Sequence, residues 1–159
     1  MLKERNKAVL AVYAIFQNEN DVLLMLRKNS GYYDNWYSLP AGHVELGELP
    51  LNALTREIRE EIGVAIDLAT VKLAHTMYRP KHDNTGERID LFFTIGEWSG
   101  EFVNAEPHKC AEIKWFHRSK LPENMMHHVK RALEDIDRGN PYSQIPVTEI
   151  PPNPSAPSV

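Results

Sequence analysis

Between Pro50 and Gly63 the chain has little choice but to be a helix. Proline suits the first turn, where its missing N–H is not needed, and glycine suits the residue just past the end. Leu51, Leu54, Ile58 and Ile62 recur at three- and four-residue spacing and predict one buried stripe. The same helix carries Glu57, Glu60 and Glu61 within a single turn and a half. At about 100° per residue these acids fall on an arc adjoining the apolar stripe, so they border the core. Like charges at such spacings cost only about 0.2–0.5 kcal/mol per pair in water, and Arg56 and Arg59 relieve them, so a solvated acidic face is one reading. The other is chemical: acids at the edge of a buried stripe line a cleft, and a hard divalent cation such as magnesium wants several oxygen ligands of this kind.

The elements around this helix form a mixed α+β pattern. Ala8 to Phe16 and Val22 to Arg27 read as two largely buried strands of a hairpin, joined by the turn-forming "QNEND". "RKNSGYYDNW" is a polar and aromatic loop, and "YSLPAG" a short strand ending at Pro40 and Gly42. "TVKLAHTMYR" and "RIDLFFTIGEW" read as strands separated by "PKHDNTGE", and "AEIKWF" as another. Pro122 to Gly139 is predicted to be a second helix with Met126, Val129, Leu133 and Ile136 on one side. We expect one domain over residues 1–145 and a Pro- and Ser-rich tail over 146–159 that is disordered.

Composition narrows the partners. The 159 residues carry 18 Lys plus Arg against 22 Asp plus Glu, a formal charge of −4 with no long basic run, which argues against tight binding to duplex nucleic acid. A small molecule with few phosphates fits better. The basic N-terminus is followed by only a short apolar run without a small-residue cleavage site, so it reads as a first strand, and no stretch approaches a membrane span. The lone Cys110 cannot form an internal disulfide, which suits a cytoplasmic location.

Gly42, Glu48 and then Arg56-Glu57-Ile58-Arg59-Glu60-Glu61-Ile62-Gly63-Val64 match, at every specified position, the box that marks the Nudix hydrolases, and the chain resembles that family. Seven fixed residues at roughly 6% usage each would coincide with odds on the order of 10⁻⁹ per start position. The flanking "LLMLR", "YSLPAGHVELGE" and "WSGE…EP" also resemble the family, so the likeness spans most of Ala8 to Leu133. The resemblance implies an α/β/α sandwich around a mixed β-sheet and a loop–helix–loop that binds Mg²⁺ or Mn²⁺. It implies cleavage of a diphosphate in a nucleoside triphosphate or another nucleoside diphosphate derivative. By the same resemblance Glu57, Glu60 and Glu61 are metal carboxylates, the carbonyl at Gly42 or its neighbour adds a ligand, and Glu48, Arg56 and Gly63 shape the box.

Residues outside the box complete the expected site. Glu57 is the first choice of general base, with Glu101 and Glu106 in the segment where similar proteins place an extra ligand or base. Arg27 and Arg79 are candidate phosphate holders, and Trp36, beside Tyr32 and Tyr33, a candidate base-stacking platform; for each, ion pairing or packing over the sheet is the competing reading. Removal of pyrophosphate from RNA 5′ ends, and cleavage of sugar nucleotides or dinucleotides, fit the same box. A diphosphate isomerase of this fold would need a Cys before the box, and Cys110 lies after it. A nucleotide-sensing module would be expected to lose box acids, all of which are retained. A homodimer is compatible with the chain.

Overall fold

In the computed structural model, which describes residues 3–156, β1 (Ala8–Asn18) decides the architecture. Its residues are buried on both faces, and successive side chains enter different cores. Ala11, Tyr13 and Ile15 join one cluster, whereas Val12, Ala14 and Phe16 join the other. Strand alternation sends neighbouring residues to opposite faces, so β1 can be apolar throughout only with a layer on each side. The helix over the box, α1 (Pro50–Ile62), covers the second face through Ala53, Leu54, Ile58 and Ile62. The other helix, α2 (His127–Asp137), covers the first through Val129, Ala132 and Leu133. The result is the expected α/β/α sandwich.

The hairpin of β1 and β2 (Asp21–Arg27) forms, but its strands pair only at the turn, Gln17 with Val22 and Asn18 with Asp21. Beyond it they diverge. The stretch read as one short strand splits into β3 (Tyr37–Ser38) and β4 (Ala41–His43). β3 pairs with β2, and β4 pairs with β1, Gly42 opposite Val12. The chain then passes through α1 and β5 (Ala65–Ile66) to β6 (Lys72–Arg79) and β7 (Glu87–Ile95). β7 runs parallel to β1 over nine residue pairs, Ala8–Phe16 against Glu87–Ile95, and antiparallel to β6. β8 (Trp98–Ser99) pairs with β5, β9 (Cys110–His117) with β2, and β10 (Tyr142–Gln144) with β6.

Three details depart from the sequence reading. Leu51, expected in the buried stripe, is 38% exposed, and Ala53 takes its place against the sheet. The second helix starts at His127 instead of near Pro122, because Tyr37 draws the preceding residues into a strand-like bridge: Tyr37 N–H donates to the Asn124 carbonyl, and Met126 N–H to that of Tyr37. The tail is not free. Asn153 accepts from Tyr33 N–H and donates to the Gly31 carbonyl, and Ser155 Oγ accepts from Asp34 N–H at 2.6 Å. Residues 157–159 of that predicted tail lie outside the described residues.

Candidate active site

α1 starts on Pro50 and ends on Gly63 in the left-handed conformation (φ 74°), its N–H reaching the carbonyls of Ile58 and Arg59. A Cβ at Gly63 would also meet Val103 Cγ2 at 2.6 Å, so only glycine lets the segment after β8 pass the helix end. That segment hangs from the last turn: Val103 N–H donates to the Ile62 carbonyl and Ala105 N–H to that of Glu61. Glu106 is thereby brought beside the box.

The other wall comes from β4. A Cβ at Gly42 would sit 1.9 Å from the Glu57 carboxyl carbon, so the absence of a side chain there is what makes room for this carboxylate. Glu61 Oε2 accepts from Ala41 N–H at 2.9 Å. Arg56 links loop to helix. It grips Glu48 through Nε and Nη2 at 2.9 and 3.0 Å, reaches Glu57 Oε1 at 2.7 Å, and donates to the His43 carbonyl. This bidentate pair holds Glu48 below the usual carboxylate range. Glu48 and Arg56 thus tie the loop before α1 to the helix, and Gly63 turns the chain at its end.

Electrostatically the site carries surplus negative charge. Burial pushes the Glu61 carboxyl well above the ordinary range, and Glu57 and Glu106 push it further. Burial raises Glu57 as well, against the pull of Arg56. Among the described residues no three acid, histidine or cysteine side chains already converge on one ion position; Glu57 is turned toward Arg56 and Glu61 toward Ala41. The donor set still fits a hard divalent cation, because it consists of oxygens and its members raise one another's affinity for positive charge. A cation would take over that role from protons.

These groups open into a cleft of about 750 Å³ lined by Gly42, Glu57, Glu60, Glu61 and Glu106 and also by Arg27, Tyr32, Arg88 and Lys109. Arg27 thus reaches the cleft. Glu101 is exposed and outside its lining. Arg79 is corrected more firmly: it is 2% exposed and its Nε lies 2.5 Å from Asp90 Oδ2, so its guanidinium is committed to a buried ion pair. Trp36 also misses the cleft. It packs on Tyr33 and on His127 of α2, with ring centroids 5.7 and 5.2 Å away, and the loop aromatic that lines the cleft is Tyr32. Residue type singled out both loop aromatics and strand arginines; Arg79 and Arg88 are partners in the β6–β7 register, and the ion pair with Asp90 tells them apart. Cys110 is buried, and burial raises its thiol, in keeping with a small core residue.

Comparison with known proteins agrees with this geometry. The NUDIX domain family model matches residues 6–136. An ADP-ribose pyrophosphatase of Methanocaldococcus jannaschii is 34% identical over 122 residues, 76% of this chain and 69% of that protein. An 8-oxo-dGTP diphosphatase of Proteus vulgaris is 32% identical over 103 residues, 64% of this chain and 88% of that protein. Among solved structures, a MutT NUDIX hydrolase from Burkholderia pseudomallei superposes with a TM-score of 0.73 at 26% identity, covering 81% of this chain and 98% of that one.

Proposed function

This chain belongs to the Nudix hydrolase family, and from that premise we propose that Glu57, Glu60 and Glu61 hold magnesium or manganese against the diphosphate of a small nucleotide. The observation that carries the proposal is the pair Glu57 and Glu61, crowded into one cleft at a backbone position that admits no side chain at Gly42. Candidate substrates are those named for its relatives, ADP-ribose and 8-oxo-dGTP.

The reaction needs charge on the diphosphate neutralised, a water held in line and a proton accepted. A bound divalent cation supplies the neutralisation and lowers the pKa of water. The chain's own residues do the rest. Arg56 orients Glu57 and ties it to Glu48, so the carboxylates keep their positions as charge develops. Arg27 offers a guanidinium to the phosphates from the lining of the same cleft. Glu106, on the segment hung from α1, is the acid we assign to accept the proton: its ion pair with the exposed Lys109 at 3.2 Å is a weaker hold than the 2.7 Å contact of Arg56 on Glu57, and Glu101 lies outside the cleft. The buried thiol of Cys110 supports a cytoplasmic setting.

Product release from a nucleotide panel, with and without magnesium, tests the proposal. Glu60→Gln and Glu61→Gln are each expected to lower turnover by orders of magnitude while the protein still folds. Wild-type rates from both variants at saturating magnesium would refute the metal assignment.

A further inference from the structure

Arg88 is 6% exposed and lines the cleft, yet among the described residues it has no carboxylate partner. The buried acid on its own strand, Asp90, is taken by Arg79. What Arg88 has instead is the hydroxyl of Thr85, which accepts from Nε at 3.2 Å and Nη2 at 2.6 Å, and Asp83 touches it only through that hydroxyl. Arg27 is in the same position: its donors go to the Tyr32 carbonyl and Ser30 Oγ. The two guanidinium groups share one support, since each Cζ lies 5.6 Å from the centroid of the Tyr32 ring. Arg27 also lines the small recess that holds Glu61 and Glu106, whereas Arg88 lines the main cleft.

A nearly buried guanidinium without a direct ion pair is costly unless an anion completes it. The two arginines can be no further apart than twice their distance to the ring, so one polyphosphate chain can reach both. In a nucleoside diphosphate sugar the group beyond the diphosphate is neutral and would strand Arg88. We propose that Arg88, with Arg27 across Tyr32, forms an anion subsite for a third phosphoryl group, so that the chain selects nucleoside triphosphates over nucleoside diphosphate sugars. The proposal rests on the reading of the box as a diphosphate site.

The test is calorimetric titration in EDTA with the α,β-methylene analogues of ATP and ADP, on wild type, Arg88→Met and Arg27→Met. Wild type is expected to bind the triphosphate analogue more tightly than the diphosphate analogue. Arg88→Met should weaken the triphosphate analogue roughly 10- to 100-fold, the effect of losing a charge-assisted hydrogen bond, and remove most of the preference. If the methionine variant does not fold, Arg88→Lys carries the test, because it keeps the charge without the two-pronged geometry and should lose part of the preference. Equal weakening of both analogues, or a preference untouched by either substitution, would overturn the subsite. These titrations contain neither metal nor turnover, so a failure here is distinct from a failure of the hydrolase reading, which would appear as absent magnesium-dependent cleavage.

Discussion

Arg79 and Arg88 stand directly opposite each other on paired strands, and the difference between them is one carboxylate. Like charges in that register repel; Asp90 offsets the first arginine and leaves the second to the cleft. His128 registers the same surplus. It is buried, its Nε2 lies 3.0 Å from the Tyr13 hydroxyl, and burial first, then Arg79 and Arg88, hold its pKa well below the ordinary imidazole value. A base depressed in the folded state stays neutral there while the unfolded chain takes up a proton. Its contribution to stability is therefore complete above the unfolded pKa of about 6.5 and is lost as pH falls below it, at no more than about 1.4 kcal/mol per pH unit for a single proton. Melting temperatures between pH 7.5 and 5 should fall more steeply for wild type than for His128→Gln, which retains a hydrogen-bonding group but cannot titrate. The comparison between the two isolates His128 from Glu57 and Glu61, whose raised values act in the opposite sense. Parallel curves would show that His128 does not carry the linkage.

At the scale of elements, the active site is a helix with two attachments, β4 before it and the segment after β8 behind it. The second attachment separates two acids that look alike in the sequence. Glu101→Gln should leave turnover near wild type, whereas Glu106→Gln should lower kcat roughly 10²- to 10⁴-fold, the usual contribution of a general base, with manganese binding preserved in a spin-resonance titration. A larger loss from Glu101→Gln would move the base to that residue. The box was legible in the sequence because everything that shapes it is local: Pro50, Gly63, the spacing of Leu54, Ile58 and Ile62, and Glu48 eight residues from Arg56. The rest of the cleft was not, because it depends on partners distant in the chain. Asp90 claims Arg79 through the β6–β7 register, α2 claims Trp36, and Tyr37 delays the start of α2 by bridging to Met125. None of these pairings leaves a trace in periodicity or residue type.

The whole molecule closes on itself where the sequence reading left a loose end. The loop from Lys28 to Trp36 bends through positive φ at Asn29, Gly31, Tyr33 and Asn35; glycine and asparagine accept this conformation, whereas tyrosine rarely adopts it. Asp34 braces it from within, accepting from the N–H groups of Ser30 and Gly31. The tail braces it from outside through Asn153 and Ser155, while the Tyr33 hydroxyl donates to the Pro151 carbonyl. This loop carries Tyr32, on which Arg27 and Arg88 rest, so the tail, bonded to Gly31, Tyr33 and Asp34, braces both sides of a residue that lines the cleft. Truncation after Ile150 removes hydrogen bonds that contribute about 0.5–1.5 kcal/mol each, while Ile145 stays packed in the core. The expected outcome is faster amide exchange confined to residues 31–34 and a several-fold rise in KM for nucleotides, with kcat nearly kept because the box on α1 is untouched. Unchanged exchange in the loop would show that Asp34 alone holds it. A fall in kcat at constant KM would show instead that the tail acts on the box and not on the loop that carries Tyr32.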